Sequence, residues 1–161
     1  MNSKNIICLT LLFSLLAVPG LAFGQELNFN SMTAEQNLFL LKNDTQNTAW
    51  SDQIGAGSGD SLSFKVYYHC GAKFPNQPLE SAKNAKIRVT FPSSSQSVAV
   101  LTAMVLSDNA FSARDDGILN LSSSQKVVFD GAAQWFRNQD TLVSNIPVTI
   151  TETTAEVSLG D

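Results

Sequence analysis

Histidine and cysteine are nearly missing from this chain. Its 161 residues include one histidine, His69, and two cysteines, Cys8 and Cys70. A structural zinc site takes about four Cys or His ligands, so the count excludes one. A disulfide-stapled domain is excluded too, because Cys8 lies in a leader segment and Cys70 is then left without a partner. Cys70 is expected as a free thiol. Basic residues are also few: ten Lys and Arg against fourteen Asp and Glu, for a net charge of −4. No basic patch forms, so neither nucleic acid nor an anionic membrane surface is an expected partner. Beyond the leader no apolar run nears the roughly 20 residues of a spanning helix, and the mature chain is expected not to insert in a membrane. No stretch there has the 3.6-residue period of a substantial helix, and no fixed-period repeat is present.

What is there begins with the leader. Lys4 supplies a positive start, and Ile6 to Ala17 is an almost unbroken apolar run. Pro19 and Gly20 break it, and Ala22-Phe23-Gly24 sets small residues at a cleavage site. This pattern predicts a signal peptide over residues 1–24, a mature N-terminus at Gln25 and export to the cell surface or the extracellular space. Cleavage removes Lys4 and no acid, leaving nine basic and fourteen acidic residues, net −5.

Two later runs alternate strictly. In GDSLSFKVYYHCG, Gly59 to Gly71, the apolar set is Leu62, Phe64, Val66 and Tyr68, and the opposite set is Ser63, Lys65, Tyr67 and His69. In AKNAKIRVTFP, Ala82 to Pro92, the apolar set is Ala85, Ile87, Val89 and Phe91. Strand side chains switch faces at every residue, so each run reads as a strand of a half-buried antiparallel sheet. A polar lead-in is expected over residues 25–37 and a first strand at Leu38 to Lys42. Ser51 to Asp60 reads as a Gly-rich loop, and Ala72 to Ser81, with Pro75 and Pro78, as a longer one. Val98 to Leu106 is apolar at both parities and reads as a strand buried on both sides. Ser107 to Gly117 reads as a loop. Short runs at Ile118–Leu121, Lys126–Phe129, Ala132–Phe136, Val148–Thr151 and Ala155–Leu159 follow. Eight or nine short strands with regular turns predict a β-sandwich over residues 38–161.

The residues also carry a family resemblance. Gly59, Asp60, Leu62, Phe64, Val66, Tyr67, Tyr68, His69 and Gly71, followed by Ala82, Asn84, Ile87, Val89 and Pro92, resemble the bacterial conserved repeat domain named domain of unknown function eleven. The segments TQNTAW, LSDNA, WFRNQ and VSLGD are similar to those of its exported envelope members. The resemblance spans roughly Leu38 to Asp161. It implies an immunoglobulin-like antiparallel β-sandwich used as a module of surface or secreted proteins. Cys70 stands where the family often has Asn, and the loop with Pro75 and Pro78 is longer than usual.

Residues that could do chemistry are sparse. His69 and Cys70 are neighbours in a strand, so their side chains diverge and a nucleophile–base pair is not expected. Asp108, Asn109, Asp115 and Asp116 fall in one expected loop and Asp60 in another, which makes calcium the one metal worth weighing. They lack the alternating spacing of a calcium loop, and no cofactor is expected. Glu152 and Glu156 show no spacing suited to a glycosidase pair. Gly55, Gly57 and Gly59 mimic a phosphate cradle, but a strand follows where such a cradle needs a helix. Among Trp50, Tyr67, Tyr68, Trp135 and Phe136, the expected ligand-facing aromatics are Tyr67 and Trp135. Asn43-Asp44-Thr45 and Asn120-Leu121-Ser122 match the glycosylation acceptor pattern, which arises readily by chance here. The expected role is a non-catalytic structural or adhesive module, partnered by other envelope or extracellular modules and by surface glycans. The alternatives are a carbohydrate-binding module using exposed aromatics and, behind it, an exported hydrolase. The expected product has no membrane anchor of its own.

Overall fold

A computed structural model describes residues 27–29, 38–72, 81–137 and 141–160. The expected signal peptide and its cleavage site lie outside the described residues, as do most of the lead-in and of the proline loop. Thirteen strands and no helix occur among the described residues, and the fold is an all-β sandwich.

The larger layer has six strands in the spatial order Val148–Ile150 (β12), Thr154–Gly160 (β13), Ala85–Thr90 (β6), Gln96–Leu106 (β7), Ala113–Gln125 (β9) and Gln53–Ala56 (β3). Phe39–Asn43 (β2) pairs with Leu62–Val66 (β4) across its inner face. Leu27–Phe29 (β1) lies between Cys70–Ala72 (β5) and Ala110–Phe111 (β8), and Ala133–Arg137 (β10) pairs with Thr141–Ile146 (β11). Most pairings are antiparallel; β3 on β9 and β1 on β8 are parallel.

The alternation in β4 and β6 points as expected. Leu62, Phe64, Val66 and Tyr68 pack against the core while Lys65 is exposed, and Ala85 and Val89 are buried while Arg88 is exposed. Phe64 is the hub of an aromatic cluster, with ring centroids 5.7 Å from Phe39, 5.8 Å from Phe129 and 6.3 Å from Phe91. Tilted rings at such distances add about 0.5–1.5 kcal/mol per pair beyond area burial.

Strand β2 shows how the two layers join. Its Leu40 and Lys42 face β4 in the hydrogen-bonded register, so the amides of Phe39, Leu41 and Asn43 point the other way. Each finds a different acceptor. Phe39 donates to the Asp115 carboxylate (3.0 Å), Leu41 to the Ser51 carbonyl (2.9 Å) and Asn43 to the Thr48 hydroxyl (3.0 Å). Three donors that would otherwise invite another strand are thus used up. Beneath β2, Gly117 of β9 lets the layers approach closely. A Cβ there would lie 2.9 Å from both the Leu41 and the Phe39 side chains.

Several expected elements differ. The Gly-rich loop contains β3, whose Ile54 and Ala56 are buried against β9. The expected loop Ser107–Gly117 is a loop at Ser107–Asn109, but it contains β8 and, from Ala113, the start of β9, a thirteen-residue strand running through Asp115, Asp116 and Gly117. Local turn preference is overridden there because β7 supplies a full ladder on one side. Strand β7 is buried on one face only; Val98 and Val100 on the other are about half exposed. Lys126–Phe129 forms no strand, yet Val127 and Phe129 still pack on the core. Strand β11 and the short β1 are additional, and the latter buries Phe29.

Candidate ligand-binding pocket and the clasped loops

Among the described residues, two places bring polar chemistry together. The first is a cavity of about 270 Å³ lined by Tyr68, Trp135, Asn145, Ile146, Pro147, Ser158 and Leu159. Tyr68 follows β4 on its core-facing parity, Trp135 lies on β10, Asn145 and Ile146 end β11, and Ser158 and Leu159 lie near the end of β13. Burial pushes the Tyr68 phenol above its usual pKa, and a hydrogen bond with Trp135 pulls the other way. The indole has only a donor, so the Tyr68 oxygen accepts and its own proton stays available.

Tyr67 and Trp135 are not brought together. Trp135 lines the cavity, whereas Tyr67, on the opposite parity, is exposed and does not. The aromatic that joins Trp135 is Tyr68. The alternation of β4 already set Tyr68 inward; what was missing was the knowledge that its neighbours there leave a cavity. Trp50 is 40% exposed, with the Lys65 ammonium 5.0 Å from its ring centroid.

The second place is a clasp around Asn43, a fully buried polar side chain. Its amide nitrogen donates to the Gly55 carbonyl (3.0 Å) and to the Asp60 carboxylate (2.8 Å), and its oxygen accepts from the Gln46 amide (3.0 Å). The same Asp60 oxygen accepts from the Gly57 amide and from the Gln46 side chain, both at 2.8 Å. These bonds hold the Asp60 carboxyl below its usual pKa, the Gly57 amide contributing most. The apparent phosphate cradle is therefore filled by the chain's own carboxylate. Asn43, one of the two glycosylation-pattern residues, has its side chain enclosed in this network, while Asn120 is exposed on β9.

The acids named from the sequence are otherwise dispersed among the described residues. Asp115 points inward to the Phe39 amide, and Asp116 points outward, accepting from the Thr102 hydroxyl at 2.6 Å. Asp108 accepts from the Asn84 side chain, and Asn109 bonds the backbone of Ser81 and Lys83. Among the described residues no group of three or more His, Cys, Asp or Glu is placed to hold a metal ion. Glu156 accepts from Arg88 (2.7 Å) and pairs with Lys86 (3.2 Å); Glu152 pairs with Lys126 (2.9 Å). The Arg88 bond, foremost, and the Lys126 bond lower the pKa of Glu156 and Glu152 respectively. A glycosidase acid needs the opposite shift. His69 is exposed, and the backbone of Cys70 pairs with Phe29; the Cys70 thiol lies outside the described residues.

No family model, curated protein or solved structure matches this chain.

Proposed function

We propose that the chain is an exported, non-catalytic, immunoglobulin-like module. It serves a structural or adhesive role at the cell surface or outside the cell, in contact with other envelope or extracellular proteins. The observation that carries this reading is the clasp. The side chains of Asn43 and Gln46 both donate to the Asp60 carboxylate and so tie the turn at residues 44–47 to the loop at residues 57–60, while three further bonds, Asn43 to Gly55, the Gln46 amide to Asn43 and the Gly57 amide to Asp60, brace the two sides. Buried polar networks of this kind rigidify what they hold. Here they hold two loops of the sandwich, and rigid loops on a sheet scaffold are a common recognition surface. Trp50, 40% exposed with the Lys65 ammonium over its ring, is also the kind of amphipathic side chain that protein contacts favour. The leader pattern and the resemblance of Gly59 to Pro92 to an envelope-protein module point the same way.

Fractionation of the producing cells, together with an attachment assay, tests this. The protein is expected in the envelope or medium, and Trp50→Ala is expected to weaken cell attachment or aggregation in a protein that still folds cooperatively. Retention in the cytoplasm, or attachment unchanged by loss of the whole protein, would overturn the reading.

A further inference from the structure

Two irregularities of strand pairing, in two different sheets, flank the cavity beside Tyr68. The β10–β11 register shifts between Trp135 and Phe136, and the β13–β6 register shifts between Ser158 and Gly160. Adjacent residues of a regular strand point to opposite faces. Ser158 and Leu159 are adjacent, yet both line the cavity. The shift at Leu159 accounts for this, and Gly160 beyond it adopts φ +81°, a conformation that suits glycine. Bulges that re-aim side chains in this way are concentrated next to binding sites.

The lining has a definite chemistry. None of the seven residues is charged, so a charged ligand would leave water without a counter-charge. Ile146, Pro147 and Leu159 are apolar, and Tyr68 and Trp135 offer rings. Tyr68, Asn145 and Ser158 offer hydroxyl and amide groups. The Asn145 oxygen accepts from Gln134 at 3.3 Å, which leaves its amide nitrogen to turn toward a ligand. A ligand that fits must be neutral, present an apolar face and carry several hydroxyls. The volume is at or below the lower end of the range of about 300–1,000 Å³ for drug-sized ligands, so it takes a single ring.

We propose that this pocket binds one neutral hexopyranose ring, its C–H face against the Tyr68–Trp135 wall and its hydroxyls bonded to Tyr68, Asn145 and Ser158. The site is separate from the clasped loops, so it and the adhesive contact through Trp50 stand or fall independently.

The chain has two tryptophans, so in a Trp50→Phe background Trp135 is the sole indole reporter. Neutral methyl hexopyranosides are titrated into the purified protein while Trp135 emission is followed. At least one is expected to change the emission with a Kd on the order of 1 mM, as suits so small a ligand. Tyr68→Phe keeps the ring and removes the hydroxyl. It is expected to weaken binding about tenfold, and Ser158→Ala, at an exposed position, about fivefold. Tyr67→Phe is expected to change nothing. No response to any hexopyranoside up to 100-fold above that expected Kd would overturn the proposal. So would a response unchanged by Tyr68→Phe and Ser158→Ala, or tighter binding of phenol or indole than of every sugar.

Discussion

Replacing Gly117 by alanine tests the layer contact most directly. The added Cβ would sit 2.9 Å from Leu41 Cδ1, 2.9 Å from Phe39 Cε1 and 3.0 Å from Leu41 Cγ. Ordinary carbon contacts fall at about 3.5–4.0 Å, so something must move. Leu41 is 2% exposed and Phe39 fully buried, so neither has solvent to move into. Gly117 does not have a positive φ, so alanine meets no backbone strain there. Overpacking of a tight core costs about 1–3 kcal/mol. The lower entropy of the unfolded alanine chain offsets about 0.4–1 kcal/mol. The net expectation is destabilisation centred on about 1.3 kcal/mol within a range of about 0–2.6 kcal/mol, read as a lower urea midpoint at unchanged slope. Gly55→Ala is the control, because its nearest neighbour would be the Asn120 carbonyl oxygen at 3.9 Å. That change should be neutral or slightly stabilising. A second mutation supplies the sharper check. Leu41→Ala alone costs about 2–5 kcal/mol by cavity formation. In the Gly117→Ala background it should cost about 1 kcal/mol less, because the new methyl fills part of the space. A Gly117→Ala protein more stable than the parent, or strict additivity of the pair, would refute the close-approach argument.

Three further outcomes follow from the same geometry. Phe64→Ala removes the hub of the aromatic cluster and should cost about 3–5 kcal/mol. Lys65→Ala should cost no more than the ~0.5–1 kcal/mol of an exposed cation–π contact; equal midpoint shifts would show that the face assignment of β4 is wrong. The Asp60 pKa is lowered in the folded chain from 3.8, so its contribution to stability is present above that value and is lost as pH falls below it. Asp60→Asn should flatten the acid limb of a plot of thermal midpoint against pH, and an unchanged limb would show that the clasp does not favour the ionised form. Mass spectrometry of the exported protein should find Gln25, in part cyclised, at its N-terminus; an intact Met1 would show that the leader is retained.

How much of this was legible before the structure depends on how local each feature is. The faces of β4 and β6 follow from period-two alternation alone, because side-chain direction in a strand needs no knowledge of the partner. That placed Phe64 and Tyr68 inward and Lys65 outward. The all-β class follows for the same reason, from short runs, turn residues and the lack of helical period. Strand β3 was hidden because Gln53 to Ala56 is only four residues long and contains a glycine, and its parallel partner lies more than sixty residues away. The start of β9 was hidden because Asp-Asp-Gly favours a turn locally. In the fold each residue answers a distant demand: Asp115 the Phe39 amide, Asp116 the Thr102 hydroxyl, Gly117 the space under Leu41. The clasp and the pocket belong to the same class. Alternation assigned Tyr68 a face, but only the packing of β10, β11 and β13 around it, with register shifts opposite Val143 and at Leu159, decided that the face holds a cavity. Register and bulges are set by pairing between segments far apart in the chain, and no window of sequence contains both sides of that bargain.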